Sequence, residues 1–297
     1  MSEFYTTHEL AALLRVKERK VYDLVAKETL PFRRVTGKLL FPRDEVAQWL
    51  RVNGVAGDAR VAPGPPRSSE GRRPLVAAGG HDPLLEWALR ESRSGIAGFF
   101  DGALDGLQRA RAGDCIAAGL HIPEGGEWNV AAVAARFTDE PWVLIEWARR
   151  ARGLIMRPDL DKRPDCLKAA RGLRFQTRQT EAGSELVLEQ LLAAEKMKRA
   201  DLRLVEAVER SETDLAMAIA DGRADVGLGI AAAARQFKLD FAPLIEERFD
   251  LLVWRKAYFD PPFQKLVALC LSEAFRDKAK ALGGYDVSGF GTVRFNG

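Results

Sequence analysis

Twenty residues from Val55 to Pro74 hold four prolines, three glycines, two serines and no aromatic side chain. Such a stretch cannot bury enough apolar surface to offset the entropy of ordering it, so it reads as a linker. Its Pro63-Gly64-Pro65-Pro66 centre is expected to be semi-extended and to hold apart two folding units, 1–54 and 75–297. With 297 residues, 47% of them hydrophobic and 29% charged, the chain has the material for a sizeable core, which excludes fibrous and disordered classes.

The net charge of +3 is unevenly spread. Residues 1–54 carry ten Lys/Arg against seven Asp/Glu and 55–74 carry four against two, which leaves the remainder slightly acidic. A basic head on a near-neutral body suits a nucleic-acid reader joined to a sensing or catalytic domain. Cys115, Cys166 and Cys270 are odd in number and lack Cys-x-x-Cys spacing, so buried thiols are expected, not a disulfide framework or zinc site. Apolar runs such as Leu266 to Leu271 fall far short of a membrane span, and Glu3 and His8 occupy the place of a greasy leader. A cytoplasmic protein with no membrane partner is expected.

Thr6-Thr7-His8-Glu9 has the spacing of a capping box and opens a helix with Leu10, Ala11, Leu13 and Leu14 on one face. A second helical run buries Val21, Leu24 and Val25, which turns Arg19 outward with Lys20 and Tyr22 on its flanks. Leu30 to Val35 and Lys38 to Phe41 flank Thr36-Gly37 as a β-hairpin, and Pro42 and Asp44 start a third helix carrying Val46, Trp49 and Leu50. Two helices, a hairpin wing and a closing helix make a winged helix-turn-helix.

Residues 4–51, from T-T-H-E-L-A-A-L-L-R-V-K-E-R-K-V-Y-D-L-V to L-P-F-R-R-V-T-G-K-L-L-F-P-R-D-E-V-A-Q-W-L, resemble the excisionase-type helix-turn-helix family. The resemblance implies binding of double-stranded DNA, with Arg19, Lys20 and Tyr22 at the groove and Lys17, Arg33, Arg34 and Lys38 on phosphates.

From Leu75 onward short apolar runs alternate with helical patterns, which argues for βαβ units. Strands are expected at Leu75 to Ala78, Ile96 to Phe100 and Cys115 to Ile122, then at Leu173 to Thr177, Leu202 to Val205, Ala224 to Leu228 and Phe249 to Trp254. One long helix is expected from Phe263 to Ala281. The fold class is α/β, in two lobes with the second near 159–248 and a ligand cleft between them.

Gly79-Gly80-His81-Asp82-Pro83-Leu84-Leu85, Ala118-Gly119-Leu120-His121, Glu127-Trp128-Asn129-Val130, Gly153-Leu154-Ile155, Arg178-Gln179 and Ala224-Asp225-Val226-Gly227-Leu228-Gly229-Ile230 resemble substrate-binding-like domains of the periplasmic type II fold. That family is used in molybdate-type regulators and fused to molybdopterin-biosynthesis proteins. The resemblance runs from about 75 to 256 and implies a ligand site at Gly80, His81, Asp82, His121, Trp128, Arg178, Gln179, Thr180, Gly183 and Ser184. This chain departs from the family's Gly-Ser-Gly-Thr-Arg turn with Thr180-Glu181-Ala182-Gly183-Ser184-Glu185, so two carboxylates stand near the expected ligand and molybdate or tungstate is disfavoured. A ligand with donor or cationic groups, or a larger one held partly by Trp128 or Trp254, fits better, and a molybdenum-related metabolite stays among the candidates.

No metal-ligand spacing, dinucleotide fingerprint or paired base and nucleophile is found, so no metal, no cofactor and no catalytic residue is expected. The expected function is a homodimeric, ligand-responsive transcriptional regulator. The alternatives are an enzyme or accessory protein of molybdenum-cofactor metabolism and a DNA-architectural or recombination accessory protein.

Overall fold

The structure, a computed structural model, describes residues 4–14, 16, 18–26, 30–35, 38–43, 45–46 and 73–297, without the side chains of 12, 23, 24, 26, 34, 35 and 38. The chain divides into two compact units, Met1–Gly64 and Pro65–Gly297. Residues 55–72 of the proposed linker and the end of the third helix, with Trp49 and Leu50, lie outside the described residues, whereas Arg73, also assigned to the linker, donates from Nη1 to Ala110 O at 2.8 Å.

In the N-terminal unit β1 (Phe4–Thr6) leads into α1 (Thr7–Leu14), then α2 (Glu18–Ala26), β2 (Arg33–Val35) and β3 (Lys38–Pro42). The capping box forms: Thr6 N donates to Glu9 Oε2 at 2.8 Å and Glu9 N donates to Thr6 Oγ1 at 3.3 Å. The expected hairpin is β2–β3, and β1 adds an unexpected third strand along β3. Leu10, Ala11, Val21, Val25, Leu30, Phe41 and Val46 form the core. Their helical spacing buries one stripe of each helix and leaves the other face to solvent.

The larger unit opens with β4 (Val76–Gly79), α3 (Pro83–Glu91), β5 (Ala97–Phe99), α4 (Ala103–Ala112), β6 (Ala117–Leu120), the small hairpin β7 (Pro123–Glu124) and β8 (Glu127–Trp128), and α5 (Val130–Phe137). The long strand β9 (Trp142–Met156) follows, then β10 (Arg174–Arg178), α6 (Gly183–Ala194), β11 (Arg203–Glu209), α7 (Glu212–Ala220), β12 (Val226–Ile230) and α8 (Ala231–Gln236). A second long strand, β13 (Asp240–Trp254), returns the chain to α9 (Arg255–Tyr258), α10 (Pro261–Cys270), α11 (Glu273–Leu282), β14 (Tyr285–Asp286) and β15 (Val293–Asn296).

One sheet runs in the order β11-β10-β12-β9-β13-β6-β4-β5. Pairing is parallel within β4–β5–β6 and β10–β11–β12, and antiparallel where β9 and β13 join them. The two 15-residue strands pair along their whole length. Their Trp142 to Ala148 and Phe249 to Trp254 halves belong to lobe 1, and the Arg150 to Met156 and Asp240 to Glu247 halves to lobe 2. Lobe 1 has its own core around Leu84, Leu107, Phe137, Trp147, Phe249 and Phe275, and lobe 2 is filled around Phe175, Leu188 and Val226 on one sheet face and Ile155, Leu215 and Ile219 on the other.

The single helix expected from Phe263 to Ala281 is two helices, α10 and α11, broken at Leu271-Ser272. Ser272 caps the second: its Oγ accepts from Phe275 N, and Glu273 sits in the first turn of α11. Cys115 and Cys270 are buried free thiols, and Cys166 is half-buried.

Candidate functional site

The loops at the ends of the lobe 1 strands face those of lobe 2 across the middle of β9 and β13. Strand periodicity puts Arg150 and Arg152 on the same face of β9, and Glu247 of β13 lies in register opposite Arg150. Asp82 caps α3 from the loop after β4, accepting from Leu85 N at 2.7 Å. It also accepts from Trp147 Nε1 at 3.1 Å, Arg150 Nη1 at 2.9 Å and Tyr285 Oη at 2.6 Å. Glu247 pairs with Arg150 through Nη2 and with Arg152 through Nε at 2.6 Å.

From lobe 2, Glu212 at the start of α7 accepts from Arg152 Nη2 at 2.8 Å and lies 3.2 Å from Arg178 Nη1. Its backbone N donates to His81 Nδ1 at 3.3 Å, which joins the two lobes. All six charged side chains, three arginines and three carboxylates, are nearly fully buried. Their charges balance, as a low-dielectric site requires, and removing one partner of such a cluster costs about 3–5 kcal/mol because a buried charge is left uncompensated. Burial favours a neutral Glu212, but the guanidiniums of Arg152 and Arg178 outweigh it and hold its pKa at about 2.

His121 directly follows β6 and stands at the centre of this seam. Its ring stacks on Phe249, centroids 5.6 Å apart. A Cβ on Gly80 would stand 2.8 Å from His121 Cε1, and one on Gly183, at the start of α6, 2.7 Å from Nε2, so both positions admit the ring only as glycine. Burial, then the nearby Arg150 and Arg152, push its pKa well below the ordinary value, and the imidazole is neutral. Among the described residues neither ring nitrogen has a hydrogen-bond partner, and nor do Ser184 Oγ, Arg152 Nη1 and Glu212 Oε2. Buried polar groups without partners are uncommon and costly. Asn129, buried with a φ of 68°, fixes the loop behind His121: its Oδ1 accepts from Ile122 N at 2.6 Å and its Nδ2 donates to Asp250 at 2.8 Å.

Further out, Arg210 forks onto Asp101 at 3.0 and 2.9 Å, and Leu104 N donates to Glu181 O at 3.1 Å, so the lobes touch directly at the rim.

Of the ten residues read as ligand-binding, Gly80, His81, Asp82, His121, Arg178, Gln179, Gly183 and Ser184 converge on the seam and are buried. Gln179 Nε2 donates to Arg210 O at 3.2 Å, and Thr180 is exposed. Trp128 packs beside the lobe 2 core while its carbonyl accepts from Arg248 Nη2 at 2.7 Å. Trp254 lies in the lobe 1 core under Arg73, away from the seam, so it is not the platform expected.

The two carboxylates after Arg178-Gln179 do not act as expected either. Glu185 is a brace, accepting from Arg178 N at 2.8 Å and from Arg199 Nη2 at 2.6 Å, and Glu181 is exposed. The carboxylates that do face the seam, Asp82, Glu212 and Glu247, come from three separate segments. Sequence reading missed Arg150, Arg152, Glu212, Glu247 and Tyr285. The Arg-x-Arg spacing at 150 and 152 was the one local signal, legible only once that segment is known to be a strand.

In the N-terminal unit Arg19, Lys20 and Tyr22 are exposed on α2, with Tyr22 52% accessible. Arg33 is paired with Glu45 at 2.5 Å and so is less free for phosphate than expected. Lys17 and the side chains of Arg34 and Lys38 lie outside the described residues. Among the described residues no cluster of three His, Cys, Asp or Glu is placed to hold a metal ion, and no helix is long and apolar enough to cross a membrane.

Two α/β lobes joined by a pair of shared strands, with polar loops meeting between them, define a two-lobed ligand-binding domain. A family model for the PBP superfamily domain matches residues 86–271, and the chain belongs to that family. A helix-turn-helix domain model matches residues 4–53. Over 300 residues the chain is 26% identical to "Uncharacterized protein YvgK" of Bacillus subtilis (strain 168), covering 97% of each chain. Similarity to solved structures is weaker. An OxyR variant from Corynebacterium glutamicum bound to H2O2 is 14% identical with a TM-score of 0.48, covering 93% of this chain and 89% of that one. The effector-binding domain of QuiR in complex with shikimate is 6% identical with a TM-score of 0.46, covering 67% and 95%.

Proposed function

We propose that this protein is a ligand-responsive transcriptional regulator, in which a small molecule taken up between the two lobes alters binding of the helix-turn-helix domain to DNA. The observation that carries the reading is the set of buried polar atoms at the seam that have no partner among the described residues, supplied by both lobes: the His121 ring nitrogens from lobe 1 and Arg152 Nη1, Ser184 Oγ and Glu212 Oε2 from lobe 2. A ligand that satisfied them would bind one separation of the lobes better than another, and this difference is what shifts a conformational population.

The seam's three arginines and three carboxylates cancel, so it offers no net attraction to a dianion such as molybdate. A neutral or zwitterionic molecule presenting both donors and acceptors fits the free atoms better. Reading of an operator by one small domain buries little DNA, so a homodimer on a two-fold site is part of the proposal.

The test joins native mass spectrometry of the purified chain, to identify a co-purifying small molecule, with gel shifts on the region upstream of its own gene at several salt concentrations. Salt-sensitive binding that changes when the molecule is added supports the reading. DNA binding indifferent to every co-purifying molecule, or no DNA binding at all, defeats it.

A further inference from the structure

A separate hollow of about 570 Å3 opens beside the closed seam, with walls from both lobes. Lobe 1 contributes Glu86, Trp87 and Arg90 of α3 and Lys278 of α11, and lobe 2 contributes Arg235 and Gln236 of α8. Its charge is unbalanced, unlike that of the seam. The one carboxylate, Glu86, is engaged by His81 Nε2 at 3.3 Å and stands 3.9 Å from Arg90 Nη1. Among the described residues no carboxylate lies within 4.0 Å of Arg235 or Lys278. The Lys278 ammonium stands over the Trp87 indole, 5.8 Å from the ring centroid. The hollow thus combines a half-buried aromatic side chain with cations that approach from opposite lobes.

We propose that this groove is a second binding site, distinct from the seam, for a small organic anion that carries a planar ring. The ring lies against Trp87 and the anionic group between Arg235 and Lys278. A bare inorganic anion gains little here, because the cations are open to water and exposed pairing is weak. Stacking on the indole adds apolar burial that a hydrated ion lacks, and ring alone forgoes the charge-assisted bonds. Because Arg235 and Lys278 belong to different lobes, an occupant links them and biases the angle at which the lobes stand.

The experiment titrates the full chain with phenyl phosphate, inorganic phosphate and phenol by calorimetry. Phenyl phosphate is expected to bind at least roughly five-fold more tightly than either half-molecule, and Arg235→Glu and Lys278→Glu are each expected to weaken it by roughly five-fold or more. Trp87→Ala removes the preference for phenyl over inorganic phosphate, with circular dichroism as the control for folding. The proposal is overturned if phenyl phosphate does not bind at about 10 mM, binds no better than inorganic phosphate, or binds both charge-reversal variants as well as the parent. None of these outcomes bears on whether a ligand occupies the seam.

Discussion

Tyr285 Oη donates a 2.6 Å hydrogen bond to Asp82 Oδ2 although the residues lie 203 positions apart. The contact makes the segment after α11 part of the interlobe site, and β14 holds it there by pairing with Arg149 and Arg150 of β9. Burial, and then the Asp82 carboxylate, raise the Tyr285 pKa well above its ordinary value, so the phenol stays a donor. Tyr285→Phe should cost about 1.5–3 kcal/mol, the range for a hydrogen bond to a charged group. Urea denaturation at neutral pH measures it, and an unchanged midpoint would show that the bond contributes nothing in solution.

Two buried carboxylates should respond to pH with opposite signs. Glu212 has its folded pKa lowered from 4.5 to about 2, so its contribution is present at neutral pH and fades as pH falls from 4.5 through 2. Asp250 is raised from 3.8 to about 6 by burial, against the lowering pull of Asn129 and Arg248. Its contribution is therefore full below pH 3.8 and lost as pH rises through 6. Asp250→Asn should flatten the stability profile between about pH 4 and 6. Carbon NMR of the Asp250 carboxyl should give a midpoint near 6, and an ordinary carboxylate midpoint would reject the assignment.

Gly183→Ala places a methyl group 2.6 Å from the His121 carbonyl oxygen and 2.7 Å from its ring. The lobes must then separate locally or the histidine must move, at a cost of about 1–3 kcal/mol as for other overpacked sites. Small-angle scattering should show a larger radius of gyration than for the parent chain. An unchanged scattering curve together with unchanged stability would mean that the seam is not closed in solution.

If α2 reads DNA, Arg19→Ala and Lys20→Ala at the groove should each weaken binding, by about 1–3 kcal/mol where the side chain reaches a base edge. Arg33→Ala should have a smaller effect, because Glu45 already engages that guanidinium. Fluorescence anisotropy across a salt series separates these outcomes, and equal losses from all three variants would contradict the ranking.

Local patterns in the chain carried far. The capping box at Thr6 and Glu9, the buried stripe of Val21 and Val25, the start of α3 at Pro83 and the alternating elements of both lobes are all written in neighbouring residues, because helix caps and hydrophobic periodicity depend on spacings of two to four positions. The break at Leu271-Ser272 was legible by the same logic, from Ser272 before Glu273, but the apolar positions on either side mask it.

The middle of the two long strands was not legible, since Arg149-Arg150-Ala151-Arg152 and Glu246-Glu247-Arg248 interrupt the apolar runs that mark a strand. Those charges are tolerated in the interior only because partners arrive from elsewhere: Glu212 lies 60 positions from Arg152, and Asp82 lies 68 from Arg150. The amino-acid order thus set most of the shorter elements and the two-lobed plan. Which charges neutralise one another, and which polar atoms are left free at the seam, was set by the packed chain alone, because Coulomb and hydrogen-bond partners are chosen by distance in space and have no period along the sequence.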